Sequence, residues 1–223
     1  MNSMFEAKEI IAQNNDWITL VFFISFLILV YLKTAFNERL YHTSILLFSK
    51  KNISFYFNKD KKNVFNMFQI SFFVIQLLIF SLLFYTLWST IKPSLQPLNA
   101  TTYFIILSGV VIYFAFQYFL NYLLATLFNL QKIYKKIIFE KINYLNAISL
   151  LVLPPLLFVI YTQNNYNFYL WITILISAIL LITRYLLVLK NNKTLFFKNL
   201  FYFILYLCAL ELAPLVIILK LTI

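Results

Sequence analysis

The two side chains best placed to do chemistry are Arg184 and Glu211, because each lies within an apolar stretch long enough to cross a membrane. A charge at the centre of a bilayer costs roughly 2.5–3.5 kcal/mol on insertion scales, so an ionisable residue there usually has a functional or structural role. Pro214, three residues after Glu211, cannot donate a hydrogen bond to the backbone carbonyl one turn earlier. A carboxyl group beside a freed carbonyl is a candidate proton or cation site. The alternative is a hydrogen bond between helices that fixes packing.

A direct ion pair between these two side chains requires an adjustment of the helices. In the spans predicted below, Arg184 lies ~8 Å from the basic side of the membrane and Glu211 lies ~21 Å from it. A kink or a later start of the last span would shorten the gap. Otherwise Arg184 is expected to extend to the interface or to bind a lipid phosphate. Glu211 is then protonated or bonded to polar groups of neighbouring helices.

Other polar residues within apolar stretches carry weaker signals. Gln117 and Asn121 lie one turn apart and Gln76 lies in an earlier stretch, so each is expected to form hydrogen bonds across helices, worth roughly 0.6 kcal/mol each. Cys208, one turn before Glu211, is interpreted as a small packing residue. The only histidine, His42, cannot build a zinc or bis-histidine haem site. The sequence therefore predicts no metal, no cofactor and no enzymatic activity.

The composition determines the class of protein that must position these residues. Of 223 residues, 63% are hydrophobic and 11% are charged, whereas soluble domains carry about 25% charged residues. This composition excludes a soluble globule and a disordered chain. One cysteine excludes a disulfide scaffold, and one glycine excludes a glycine-rich phosphate loop. The chain is predicted to be one integral membrane domain, residues 1–223.

The apolar stretches predict an all-α polytopic bundle, since a spanning helix needs about 20 apolar residues. A β-barrel is not favoured, because the stretches are continuously apolar rather than alternating. Six spans are predicted, at residues 17–36, 64–91, 102–130, 142–161, 168–189 and 197–219.

The distribution of basic residues predicts the orientation. Fourteen of the 18 lysines and arginines lie in the first, third and fifth connections between spans or in the span ends next to them. Under the positive-inside rule these connections face the cytoplasm and both termini face the other side. Most of the net charge of +11 therefore comes from basic residues that set the orientation in the membrane, and no nucleic-acid partner is predicted.

Two connections carry amphipathic patterns. Residues 37–49 are expected to form an interfacial helix with Leu40, Tyr41, Ile45 and Phe48 near one face. In the third connection, Lys132, Lys135 and Lys136 lie opposite an apolar face, which predicts an in-plane helix contacting anionic lipid headgroups. The alternative is that the third span extends past the membrane and its lysines reach the headgroups.

The fourth span contains two consecutive prolines, Pro154 and Pro155. They remove two hydrogen-bond donors and predict a break or a sharp kink. Broken helices line substrate sites in transporters with repeated halves. Because the first three spans contain no proline, a structural kink is favoured here.

The segment of residues 201–215, FYFILYLCALELAPL, resembles the C-terminal signature of an uncharacterised family of small multi-pass membrane proteins from Bacteroidota. Asn15-Asp16-Trp17 and Pro154 are also similar to that family's pattern. The resemblance implies an inner-membrane location, with both termini in the periplasm, and transfers no catalytic residue. It marks Glu211 and Pro214, and more weakly Cys208, as signature positions.

Three functions are compatible with the sequence. The first is a non-enzymatic subunit or assembly factor of an envelope complex, whose partners are lipids and other membrane proteins. The second is a small proton-coupled transporter that uses Glu211 and a broken fourth helix. The third is a lipid-handling protein at the basic face, for which only Glu140 offers a catalytic acid.

Overall fold

The computed structural model describes residues 16–47, 66–91, 100–127, 131–162 and 166–191. These ranges are almost entirely helical and contain no strand. Five of their helices are long and apolar enough to cross a membrane. The all-α polytopic architecture is thereby confirmed, while the sixth predicted span, 197–219, lies outside the described residues.

The described elements follow the chain in the order α1 (Asp16–Ala35), α2 (Asn37–Ile45), α3 (Met67–Ile91), α4 (Ala100–Leu127), α5 (Gln131–Tyr161) and α6 (Tyr166–Asn191). The ends of the first, second, third and fifth predicted spans agree with α1, α3, α4 and α6 to within three residues. The helix that contains the predicted fourth span also ends at residue 161, but it begins before residue 142.

Helix α5 starts at Gln131 rather than at residue 142. The basic segment that was expected to form an in-plane helix, or to extend the third span, is instead the first turns of α5. No glycine or proline lies between residues 131 and 153, so nothing in the sequence stops the helix. Its 31 residues span about 46 Å, more than the ~30 Å hydrocarbon core of a bilayer.

Helix α5 is not broken at Pro154 and Pro155, because it continues through both residues to Tyr161, and the kink that the sequence favours stays a prediction. Backbone groups in an apolar environment must be paired within the segment, which favours a continued helix around the lost donors. Pro154 is exposed and Pro155 is half-buried. The neighbouring helix contacts α5 here, since the Thr173 hydroxyl donates to the Pro155 carbonyl at 3.4 Å.

The two central helices of the bundle are α3 and α5. Over half of the membrane-spanning part of each is buried, against 28% for α1, 22% for α6 and 11% for α4. Helix α3 packs against α1, α4 and α5, and α5 packs against α2, α3, α4 and α6. The interface between α5 and α6 is the most extensive among the described elements.

One end of the bundle is closed by aromatic side chains, and we call it the aromatic end. The ring of Trp17 at the start of α1 lies 5.1 Å from the rings of both Tyr85 and Tyr103, measured between centroids. Tyr103 is fully buried, and its hydroxyl accepts a 3.2 Å hydrogen bond from Ser81. These contacts bring together the start of α1, the end of α3 and the start of α4.

Helix α6 has two faces of opposite character. Its buried residues are three, four or seven positions apart, which keeps them on one face: Leu170, Thr173, Ser177, Arg184 and Val188. The exposed face carries large apolar side chains at the same spacing: Phe168, Trp171, Leu175, Ile179, Ile182 and Leu186. This is the pattern of a helix that packs on a bundle with one face and faces lipid with the other.

Helix α2 confirms that the start of the first connection is helical. It follows α1 directly after Phe36 and packs against α1 and α5. Leu40 packs on the core, whereas Tyr41 is exposed, so only part of the predicted apolar face is buried. Phe48 lies outside the described residues.

Close helix contacts use alanine and serine, as expected for a chain with one glycine. Ser81, Ala147 and Ser149 are fully buried. Gly109 has no neighbouring atom within 4 Å of where a Cβ would lie, so the glycine does not mediate a close contact. The rest of the core consists mainly of phenylalanine, leucine and isoleucine side chains.

The continuity of α5 leads to a prediction. Pro154→Ala should raise the midpoint of thermal unfolding, because it restores a backbone donor to the carbonyl of Leu150 and removes only an outward-facing ring. Pro155→Ala restores the equivalent donor but loses half-buried packing, and its gain should be smaller. Both midpoints can be measured in detergent by circular dichroism. A large fall for Pro154→Ala would contradict this description of α5.

Candidate functional site

The buried amide and ionisable side chains of the described residues all lie in the half of the bundle away from the aromatic end. We call this set the polar layer: Gln69, Gln76, Asn121, Glu140, Lys141, Asn143, Asn146 and Arg184. The buried hydroxyl groups behave differently. Ser25 and Thr173, for example, each donate to a carbonyl one turn earlier on their own helix. Contacts of buried serine and threonine hydroxyl groups with another helix are fewer: Ser81 meets Tyr103, and Thr173 also lies 3.4 Å from the Pro155 carbonyl.

Four amides of the polar layer form one chain of hydrogen bonds between α3 and α5. Gln76 Nε2 donates to Asn146 Oδ1. Asn146 Nδ2 donates to Gln69 Oε1 at 2.9 Å, and Gln69 Nε2 donates to Asn143 Oδ1 at 3.0 Å. The chain ends where Asn143 Nδ2 donates to the Phe139 carbonyl at 2.8 Å. Every amide thus donates in the same direction along the chain.

The spacing of these amides explains how they meet. Gln69 and Gln76 are seven residues apart on α3, which is about two helical turns, so they share a face. Asn143 and Asn146 are three residues apart on α5 and are also neighbours on its surface. Because Asn146 bonds to both glutamines, a shift of one helix along the other by a turn would break the chain. The amides therefore fix the register of α3 against α5.

A second contact closes the layer at the end of α6. Asn191 Nδ2 donates to the hydroxyl of Tyr144 at 3.0 Å, and Tyr144 is almost fully buried. Leu46, which follows α2, and Val188 pack with the Tyr144 ring. The end of α2 therefore covers the contact between α5 and α6.

Glu140 and Lys141 are buried on α5, one turn before Asn143 and Tyr144. Glu140 is 2% exposed and Lys141 is 8% exposed. The sequence predicts both residues in the third connection, with Glu140 at an accessible interface, and this placement is wrong because α5 begins before residue 142 and buries them. Both side chains have interaction partners. Buried charges of this kind persist only when they are paired.

Arg184 lies on the buried face of α6 and is 7% exposed. The expected extension of its side chain to the membrane interface stays a prediction. The guanidinium carbon lies 5.4 Å from the centroid of the Tyr185 ring, a cation–π contact. Its Nε is buried and has no hydrogen-bond partner among the described residues.

The amides predicted to join helices have mixed outcomes. The cross-helix bond predicted for Gln76 is confirmed by its contact with Asn146. Asn121 is buried on α4, but its Oδ1 has no hydrogen-bond partner within the part of the chain that the structure describes. Gln117, one turn earlier, is half-buried.

Only some of the remaining predicted site residues lie within the residues that the structure describes. Glu211, Pro214 and Cys208 lie outside the described residues, so their roles stay predictions. Positions 132 and 135 lie on α5, but their side chains are outside the description, and the Lys136 side chain is half-buried. The contact of Lys132, Lys135 and Lys136 with anionic headgroups also stays a prediction.

The sequence analysis missed most of the amide chain, although a signal was present. Glu140, Asn143, Asn146 and Ser149 follow one another at intervals of three residues. Such spacing places successive side chains next to each other on a helix. The predicted start of the fourth span at residue 142 separates Glu140 from Asn143, Asn146 and Ser149. The three-residue pattern becomes visible only when all four residues belong to α5.

The sequence matches, over residues 18–222, a family described as a domain of unknown function, DUF4271. The chain belongs to this family. The DUF4271 match includes the whole polar layer and the C-terminal segment that suggested an uncharacterised family. No curated protein and no solved structure matches this DUF4271 chain significantly. Its function must therefore be argued from its own residues.

The amide chain makes a testable prediction about stability. Asn146→Leu, which is nearly isosteric, should lower the free energy of unfolding by about 1–3 kcal/mol, because it leaves Gln69 Oε1 and Gln76 Nε2 without these partners. Adding Gln76→Leu should cost less than the sum of the single effects, since both remove the same bond. Reversible unfolding in mixed micelles gives these energies.

Gln117→Leu on α4 is the matched control, because Gln117 lies outside the chain of amides, and it should change the free energy by less than about 0.5 kcal/mol. Strictly additive effects of Asn146→Leu and Gln76→Leu would show that the two side chains are not coupled.

Proposed function

We propose that this DUF4271 protein is a non-enzymatic subunit or assembly factor of an envelope complex in the bacterial inner membrane. The observation that supports this function is the amide chain from Gln76 to the Phe139 carbonyl. Its polar groups bond to each other and hold α3 and α5 in one register. This is the use of intramembrane amides expected of a rigid structural component.

The outer surface is compatible with such a role. The outward faces of α1, α4 and α6 are apolar and carry large side chains such as Leu27, Ile112 and Ile179. Lipid chains and the spanning helices of another membrane protein both fit such faces. The orientation in this proposal is the one favoured by the basic connections, with both termini in the periplasm.

The proposal predicts a specific neighbour in the membrane. A photo-crosslinking residue placed at Leu27, Ile112 or Ile179 should give, on at least one face, a discrete adduct with one other envelope protein. The same protein should co-purify at fixed stoichiometry in mild detergent. Ile148, which is fully buried, is the control position and should give no intermolecular adduct. If all three faces label only lipid and the purified chain is alone and monodisperse, the proposal fails.

Proton-coupled transport is the second candidate, and Glu140 is the observation that favours it. A carboxyl group buried within a spanning helix is a functional candidate by default. The version based on a broken fourth helix loses its support, because α5 is continuous. Glu140 therefore replaces the break as the feature to test.

Reconstituted vesicles with an internal pH-sensitive dye distinguish the two candidates. A transporter would show substrate-dependent proton flux that is lost in Glu140→Gln and kept in Glu38→Gln, since Glu38 lies exposed on α2. A structural subunit would show no flux in the unmodified chain. Proton flux that survives Glu140→Gln would show that transport does not require the Glu140 carboxyl group.

The lipid-handling candidate has less support. It needs a catalytic acid that headgroups can reach, and Glu140 is 2% exposed. Contact of the basic first turns of α5 with anionic lipids remains part of the proposal, as a means of anchoring the helix.

A further inference from the structure

Arg184 is a buried charge that neither the amide chain nor the proposed function uses. Two contacts between α5 and α6 set its depth. Asn191 meets Tyr144 near one end and Thr173 meets the carbonyl of Pro155 nearer the other, so the helices run antiparallel. Arg184 lies between these contacts and is thus roughly level with Ala147 on α5, a fully buried position with a small side chain.

The guanidinium group requires a counter-ion at this depth. An arginine cannot lose its proton in a protein, so burial cannot be relieved by neutralisation. The contact with the Tyr185 ring is a weak compensation for the lost hydration. A full compensation needs an anion that accepts hydrogen bonds from the guanidinium.

The described residues do not supply this anion. Their carboxylates are Asp16, Glu38 and Glu140. Asp16 and Glu38 are exposed, and they lie at the start of α1 and on α2. Glu140 has its own interactions and lies about two turns, or ~10 Å, from the level of Ala147 on α5. Within the described ranges no ion pair involves Arg184, and its buried Nε lacks a partner.

We propose that Arg184 binds an oxyanion, a carboxylate or a phosphate, inside the bundle beside α5. The unpaired Nε indicates the mode of binding. A guanidinium holds an oxyanion side-on through its Nε and one terminal nitrogen, and this two-bond geometry is not available to lysine. The oxyanion comes either from the chain itself, as the carboxylate of Glu211, or from outside, as the phosphate of an anionic lipid. The proposal is independent of the structural role proposed above.

The test compares variants of the full-length protein in detergent, by thermal unfolding, with and without added phosphatidylglycerol. The variants are Arg184→Gln, Arg184→Lys, Glu211→Gln and the double variant Arg184→Gln/Glu211→Gln. Lys190→Gln is the matched control, because Lys190 is an exposed cation at the end of the same helix. Phosphatidylcholine is the control lipid.

With an external oxyanion, phosphatidylglycerol should raise the midpoint of the unmodified protein and of Glu211→Gln and Lys190→Gln. Its apparent affinity should fall about tenfold or more in Arg184→Lys, which keeps the charge but loses the side-on geometry. Arg184→Lys also keeps the test valid if Arg184→Gln does not fold.

With an internal carboxylate, phosphatidylglycerol should have no specific effect. Arg184→Gln and Glu211→Gln should then lower the midpoint, and the double variant should be no less stable than the worse single variant. The proposal is overturned if Arg184→Gln and Arg184→Lys match the unmodified protein in both midpoint and lipid response. Additive losses in the double variant without any lipid response would overturn it as well.

Discussion

The parallel contact between α3 and α5, made through buried amides, is the interaction on which the rest of the bundle depends. Apolar packing inside a membrane gains little specificity from the hydrophobic effect, because lipid chains are as apolar as leucine. Hydrogen bonds between Gln69, Gln76, Asn143 and Asn146 supply that specificity by selecting one register. Once α3 and α5 are aligned, α1, α4 and α6 pack around them.

The interior is divided into two halves with different chemistry. Trp17, Tyr85 and Tyr103 fill one end with packed rings, and the amides and buried charges occupy the other. Arg184 belongs to the second half but not to the amide chain. It lies on α6, and its described polar contact is the cation–π contact with the Tyr185 ring. The charged side chain and the amides therefore have separate roles. The four amides of the chain satisfy one another, whereas Asn121 Oδ1 and Arg184 Nε have no hydrogen-bond partner among the described residues.

The fold was largely predictable from the sequence, because a run of about 20 apolar residues has one common outcome in a membrane. One local prediction failed, because Glu140 and Lys141 were assigned to a loop from their own preference for water. In α5 the surrounding helix overrides that preference. Pro154 and Pro155 do not end the helix either, since α5 has no other way to pair its backbone in apolar surroundings. The amide chain could not be predicted in full, because the pairing of Gln69 with Asn143 depends on which helices are neighbours.

The direction of the amide chain has an electrostatic consequence. Amide side chains have similar shapes in both orientations, so a chain of four could in principle be reversed by turning every amide over. The final acceptor prevents this, because the Phe139 carbonyl can accept a hydrogen bond but cannot donate one. A single backbone oxygen thus orients all four side-chain dipoles the same way along the chain. The bundle carries a permanent local field in its polar half, with the positive ends of the amides directed toward the start of α5.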